Sequence, residues 1–396
     1  QDMLGLPNDV FTDDKLEYFG NVNFLKAGIV YSDEVTTVSP TYAEEIQTAY
    51  YGERLDGLLR ARRNHLSGIL NGLDVREFDP ANDKRIAATY TAEDLSGKAV
   101  NKRALQEELG LELRPEVPLI GIISRLSSQK GLDLVDYVIA DIMREDLQLV
   151  CLGLGESRYV NLFSWAEQNY PGRVAARFVM DNNLAHRIYA GADLFLMPSA
   201  FEPCGLSQMI ALRYGTVPIV RETGGLRDTV LSYNEFNGAG NGFSFFNYNA
   251  HDMLNVIRRA LYFYHERKDV WATLQHRGMT EDYSWLHSSR RYLELYNKLL
   301  PVLLGSGAEK ETQQPAPEQE PKPEPRKPHA ANKESKATQS AKAEEEARAA
   351  EAVEKPKPKA SAKPRKTSSK KQPAADADSE AAKKPVARAR KPKAEQ

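Results

Sequence analysis

The amino-acid sequence predicts an α/β protein built on a doubly wound parallel sheet, and three observations carry that prediction. Between residues 117 and 220, short apolar runs alternate with amphipathic stretches of helical period. The runs are continuous in hydrophobicity, the pattern of strands buried on both faces rather than one. Each is followed by a Gly-, Ser- or Asn-containing loop and a helix instead of a tight hairpin turn, so successive strands run parallel.

The elements follow in order. Residues 23–49 predict a helix (NFLKAGIVYS), a strand (EVTTVS) and a second helix begun at Ser39-Pro40, where proline gives up only an N–H that a first turn leaves unpaired. LSGILNGLD, residues 66–74, reads as strand and turn. This is about one and a half α/β units, short of a complete sheet. Residues 79–115 read as a connection carrying one amphipathic helix at 97–109. VPLIGIIS, LQLVCLGLG, RVAARFV, ADLFLMPS and TVPIVR are the predicted strands, separated by helices at 131–145, 157–169, 183–191 and 205–214. An aromatic-rich amphipathic helix at 284–300 closes the folded part. The expected divisions are 1–90, 91–115, 116–283, 284–304 and a tail at 305–396.

The tail differs in kind. Residues 301–396 hold 13 of the 22 prolines and no aromatic residue, and past Leu304 their only large aliphatic residues are Val353 and Val386. Such a segment has too little to bury to offset its backbone entropy, and disorder is expected. It carries +7 against −2 for the whole chain, which leaves −9 on residues 1–300. No apolar run approaches the roughly 18–20 residues of a membrane span, and no leader pattern opens the chain, so a cytoplasmic protein is expected. Cys151 and Cys204 are too few for a disulfide framework. The chain starts with Gln1, and its opening reads as the middle of a domain, so it is expected to be a fragment.

In doubly wound sheets ligands bind at the carboxyl ends of the strands, which directs attention to three loops. SRLSSQKG carries Arg125 and Lys130, two cations five residues apart that suit a diphosphate, Arg as a fork and Lys as a point charge. They also read as solvated loop charges. SAFEPCGLSQ places Glu202 before a turn-forming Pro203 and Gly205, where a carboxylate meets sugar hydroxyls or a developing positive charge, or simply complements a helix N-terminus. RETGG offers Thr223, Gly224 and Gly225 ahead of another helix, a phosphate nest or an ordinary turn. GLGES lacks the GxGxxG spacing of a nicotinamide site. His65, His186 and His287 do not converge in sequence, and neither metal nor cofactor is expected.

Taken jointly, residues 23–48, LSGILNGLD, ISRLSSQKG (123–131), AHRIYAGADLFLMPSAFEPCGL (185–206) and YGTVPIVRETGGLRDTV (214–230) resemble the bacterial glycogen (starch) synthases in order and spacing. The resemblance covers about residues 1–300. It implies a glycosyltransferase-B fold, with a partial Rossmann-like acceptor-side domain at 1–90, a Rossmann-like nucleotide-sugar domain at 116–283, and a last helix crossing back. It implies transfer of glucose from ADP-glucose to the non-reducing end of an α-1,4-glucan, with retention and without a role for membrane or specific nucleic acid. Arg125 and Lys130 match the family's diphosphate-binding cations, and Glu202 its essential acid. Thr223, Gly224 and Gly225 match the loop facing donor phosphate and sugar, and Cys204, Gly205 and Leu206 stand at the same site. Asn23, Asn71 and Asp74 match cleft and hinge positions of the first domain.

Three departures accompany the match. The family's amino-terminal Lys-Thr/Ser-Gly-Gly-Leu loop, with the His and Asp of that domain, has no counterpart. Met180 stands where an aromatic residue usually faces adenine, and Ala200 replaces a common Arg. Sucrose- and trehalose-type synthases, the enzymatic rivals, usually carry a second Glu eight residues after the first, where this chain has Ile210. A polyanion-binding protein acting through its basic tail is the rival from another class.

Overall fold

The five apolar runs become neighbouring strands in the computed structural model, which describes residues 5–303. The tail expected to be disordered, 305–396, lies outside the described residues.

The first lobe holds β1 (Glu17–Tyr18), β2 (Asn21–Val22), α1 (Phe24–Tyr31), β3 (Val35–Thr37), α2 (Pro40–Glu45), α3 (Asp56–Ala61) and β4 (Leu66–Gly68). β3 and β4 pair in parallel, as the reading of a partial α/β unit requires, and the β1–β2 hairpin is additional. Ile29, Leu55 and Leu59 form its small core. Ser39 caps α2 by accepting from the Tyr42 N–H, with Pro40 in the first turn.

The second lobe follows α4 (Ser96–Leu109). It contains β5 (Leu119–Ile123), α5 (Leu132–Ile142), β6 (Gln148–Leu152), α6 (Ser157–Asn169), β7 (Val174–Arg177) and α7 (Asn182–Gly191). Then come β8 (Leu194–Met197), α8 (Ser207–Arg213), β9 (Val217–Arg221), α9 (Gly224–Thr229), β10 (Phe243–Phe245), α10 (Ala250–Glu266), α11 (Lys268–Thr280) and α12 (Trp285–Leu303). The sheet is parallel throughout, in the order β10-β9-β8-β5-β6-β7. The direction of winding reverses between β5 and β8, and a crevice opens at such a point beyond the strands' carboxyl ends.

Alternation along the strands assigns their faces. Ile120 and Ile122 of β5 join α5, α6 and α10 in the largest core cluster, whereas Leu119 packs with Leu105 and Leu109 of α4 and Ile188 of α7. α4 coincides with the amphipathic helix expected at 97–109. Its apolar stripe is buried on the sheet's flank, where Gly191 allows α7 close approach. β10 was not foreseen, because FSF is too short to show a pattern.

A buried polar cluster joins the connecting segment to this lobe. The Tyr214 hydroxyl donates to Asp83 at 2.6 Å, Arg85 donates to Asp83 at 2.8 Å, and His186 Nδ1 lies 2.7 Å from the same carboxylate. Burial opposes ionisation of Asp83, but these hydrogen bonds outweigh it and hold its carboxyl at about 2. Burial lowers the His186 imidazole.

Candidate functional site

The loop after β5 carries two of the expected residues, and its shape is fixed by backbone bonds. Leu126 N–H donates to the Leu154 carbonyl at 2.8 Å, and the buried Leu126 side chain anchors the turn. Ser128–Lys130 forms one 3-10 turn, closed by Gly131 at φ 71°. A Cβ on Gly131 would stand 1.9 Å from the Pro198 carbonyl oxygen, so only glycine lets the loops after β5 and β8 touch. Ala200 N–H then donates to the Gln129 carbonyl at 2.8 Å.

This contact brings together what the sequence separates. Lys130 Nζ lies 2.5 Å from Glu202 Oε2, and the Ser199 hydroxyl donates to the same oxygen at 3.1 Å. Glu202 is 8% exposed, so its charge is largely removed from water and is met by a cation and a hydroxyl. Arg125 reaches Gln129 at 3.2 Å. Arg125, Lys130, Ser199, Glu202, Gly205 and Leu206 line one cavity of about 240 Å3, beyond the ends of β5 and β8.

A second cavity of about 330 Å3 adjoins it, and Ile123, Ser124 and Arg125 line both. Its walls are mainly apolar, with Leu152, Leu154, Val179 and Met180. Gly153 keeps the floor open to the chain, since a Cβ there would meet the Ser124 carbonyl oxygen at 1.8 Å. Met180 is 86% exposed at the rim. A flat apolar body fits one compartment and an anionic group the other, with Arg125 at their junction.

The other expected residues have different surroundings. Thr223 is buried; its hydroxyl donates to Glu45 Oε1 at 2.9 Å, and the Gly224 N–H donates to the same oxygen at 3.0 Å. Gly225 N–H donates to the Glu202 carbonyl at 3.1 Å, and a Cβ on Gly224 or Gly225 would strike the backbone of residues 202–204. The turn therefore packs beneath the Glu202 loop, with its donors taken by protein acceptors. Burial raises the Cys204 thiol, which faces the Asn71 backbone. Asn71 lines a separate cavity of about 630 Å3 with Arg227, Tyr283 and His287. Asp74 accepts from the N–H groups of Arg76 and Glu77, and Asn23 caps α1 through the Lys26 N–H. Asn23, Asn71 and Asp74 line neither strand-end cavity.

Sequence reading passed over Arg221, Glu45 and Tyr248. Arg221 alone had a signal, since it ends an apolar strand as Arg125 follows one.

Known proteins match along the same span. A family model described as "Starch synthase catalytic domain" matches residues 1–61, and one described as "Glycosyl transferases group 1" matches residues 107–270. The glycogen synthase of Geobacillus thermodenitrificans is 57% identical over 300 residues, covering 76% of this chain and 62% of that protein. That of Bacillus cereus is 54% identical over 299 residues, covering 76% and 63%. The chain thus spans less than two thirds of the length of these relatives. The catalytic domain of starch synthase IV from Arabidopsis thaliana, solved with ADP and acarbose, superposes with a TM-score of 0.70 at 38% identity, over 74% of this chain and 62% of that one. The fold is of the glycosyltransferase-B type, and the chain belongs to the glycogen (starch) synthase family.

Proposed function

We propose that the protein is a glycogen synthase that transfers glucose from ADP-glucose to the non-reducing end of an α-1,4-glucan, with retention. One observation carries the reading: an apolar cavity and a charged cavity meet at Arg125, with Lys130 and Glu202 in the charged one. Adenine suits the apolar compartment, with Met180 over it as a soft, weakly directional contact. Arg125 and Lys130 supply countercharge to the departing diphosphate, and such preorganised charge acts most strongly when charge develops in a dry site. Glu202 faces the anomeric carbon, where its carboxylate stabilises the positive charge that grows as the bond to phosphate breaks. The acceptor 4-hydroxyl bonds to that carbon, and its proton leaves with ADP.

Two particulars support this choice of substrates. The starch synthase IV structure holds ADP. Ile210 occupies the position where the sucrose- and trehalose-type rivals place a second acid. A cytoplasmic site of action goes with a nucleotide-sugar donor, and among the described residues no helix is long and apolar enough to cross a membrane. The roles of Thr223–Gly225 and Cys204 in this scheme are indirect, through the backbone of the Glu202 loop.

The test is ADP release from ADP-glucose in the presence of glycogen, with elongation followed on the glucan. Glycogen-dependent release that falls in Arg125→Ala supports the proposal. Release at the parental rate in Arg125→Ala, or release without glucan growth, contradicts it.

A further inference from the structure

Arg221 ends β9, next to β8 in the sheet, and its guanidinium reaches in three directions. Nη1 donates to the Ala200 carbonyl at 2.6 Å and to that of Ser199 at 3.4 Å. Nη2 donates to the Tyr51 hydroxyl of the first lobe at 3.4 Å. The group lies over the Tyr248 ring, 5.5 Å from its centre. Nε is buried and has no protein partner.

The two carbonyls belong to the loop that carries Glu202, and Ser199 also donates its hydroxyl to that carboxylate. Tyr248 donates to Asp133 at 2.5 Å and its hydroxyl lies 3.5 Å from the Ser128 carbonyl, so the ring backing Arg221 is tied to the end of the Lys130 loop. Arg221 itself lines neither strand-end cavity. It is a junction between the loops on either side of the charged compartment and the first lobe.

We propose that Arg221 is a positioning residue that sets the Glu202 carboxylate against the donor sugar and, through Tyr51, ties that setting to the position of the first lobe. The inference rests on the donor-site reading above. A planar fork suits this junction, because Nη1 faces the two carbonyls and Nη2 the Tyr51 hydroxyl in fixed directions while the flat group lies over the Tyr248 ring. Its loss leaves Arg125 and Lys130 in place for the diphosphate while the 199–202 loop relaxes. The effect falls on the sugar and spares ADP.

Titration calorimetry of ADP and of ADP-glucose into the parent, Arg221→Met, Arg221→Lys and Tyr51→Phe tests this, with thermal midpoints measured alongside. ADP affinity is expected to stay within about twofold, while the ratio of ADP-glucose to ADP affinity falls about tenfold in Arg221→Met, as for a lost charge-assisted contact. Arg221→Lys should recover part of that ratio, and Tyr51→Phe should lose about two- to threefold. A parallel fall of both affinities, or an unchanged ratio in Arg221→Met, overturns the inference while leaving the donor site standing. A parent that binds neither nucleotide overturns the donor-site reading, and the inference with it.

Discussion

Glu45 of the first lobe holds both the Thr223 hydroxyl and the Gly224 N–H of the second with a single carboxylate oxygen, at 2.9 and 3.0 Å. Beside it, Asp228 accepts from the Thr41 N–H at 3.0 Å and from the Thr41 hydroxyl at 2.5 Å. α2 and α9 are joined by these two acids, one from each side. The other oxygen of Glu45 is buried without a protein partner.

Replacing Glu45 by Ala should leave the two donors of the Thr223 turn unsatisfied. A buried donor without a partner costs about 1–3 kcal/mol. Glu45→Gln should be milder, because its amide oxygen accepts the same two bonds. Urea unfolding of the parent and both variants checks the order, and equal stability of parent and Glu45→Ala would show the latch to be idle.

Gly131→Ala should be among the most damaging single-methyl changes in the second lobe. The residue has φ 71°, and the added carbon would meet the Pro198 carbonyl oxygen at 1.9 Å, a backbone atom that has no rotamer to move to. The left-handed strain alone is about 1–3 kcal/mol. Because the loops of Lys130 and Glu202 meet here, ADP affinity should fall together with the denaturant midpoint. A stable variant with parental affinity would mean that the loops do not need this contact.

The Asp83 cluster predicts acid lability. Its carboxyl is held at about 2 against an ordinary 3.8, so the folded state gains stability above pH 3.8 and loses it as pH falls toward 2. The lowered His186 acts in the same direction, since the unfolded chain takes up its proton below pH 6.5 before the folded one does. Asp83→Asn should cost about 2 kcal/mol at pH 7, with the difference from parent shrinking toward pH 3. Urea unfolding at the two pH values measures it; a gap independent of pH would remove Asp83 as the cause.

Much of this architecture is legible from local signals. β5 to β9 announce themselves because strands covered on both faces are apolar along nearly their whole length, and Arg125, Lys130 and Glu202 stand out as charges beyond their ends. β10 escapes because three residues carry no period, and α4 was legible as an amphipathic helix but not its packing on α7, far along the chain. Glu45 was invisible for a physical reason: a carboxylate on a helix of the first lobe acquires its role only when it meets Thr223, 178 residues away. The glycines of the Thr223 turn could be seen, but not that their smallness serves packing beneath residues 202–204.

Lys130 and Glu202 should separate binding from chemistry. If Lys130 meets the donor diphosphate as proposed, Lys130→Ala should weaken ADP. If Glu202 stabilises the developing sugar cation as proposed, Glu202→Gln should lower transfer by roughly 100–1,000-fold, the usual loss for one such group. A Glu202→Gln enzyme with parental turnover would take that residue out of the reaction.

In the proposed function, the crevice between the ends of β5 and β8 is a nucleotide-sugar site organised by Arg125 and Lys130. Titration calorimetry of ADP into the parent chain and into the Arg125→Ala/Lys130→Ala double variant tests it most directly. The parent should bind saturably and one-to-one, and the double variant should lose at least about tenfold, the scale of one charge-assisted hydrogen bond. Equal affinity in the two proteins would contradict it.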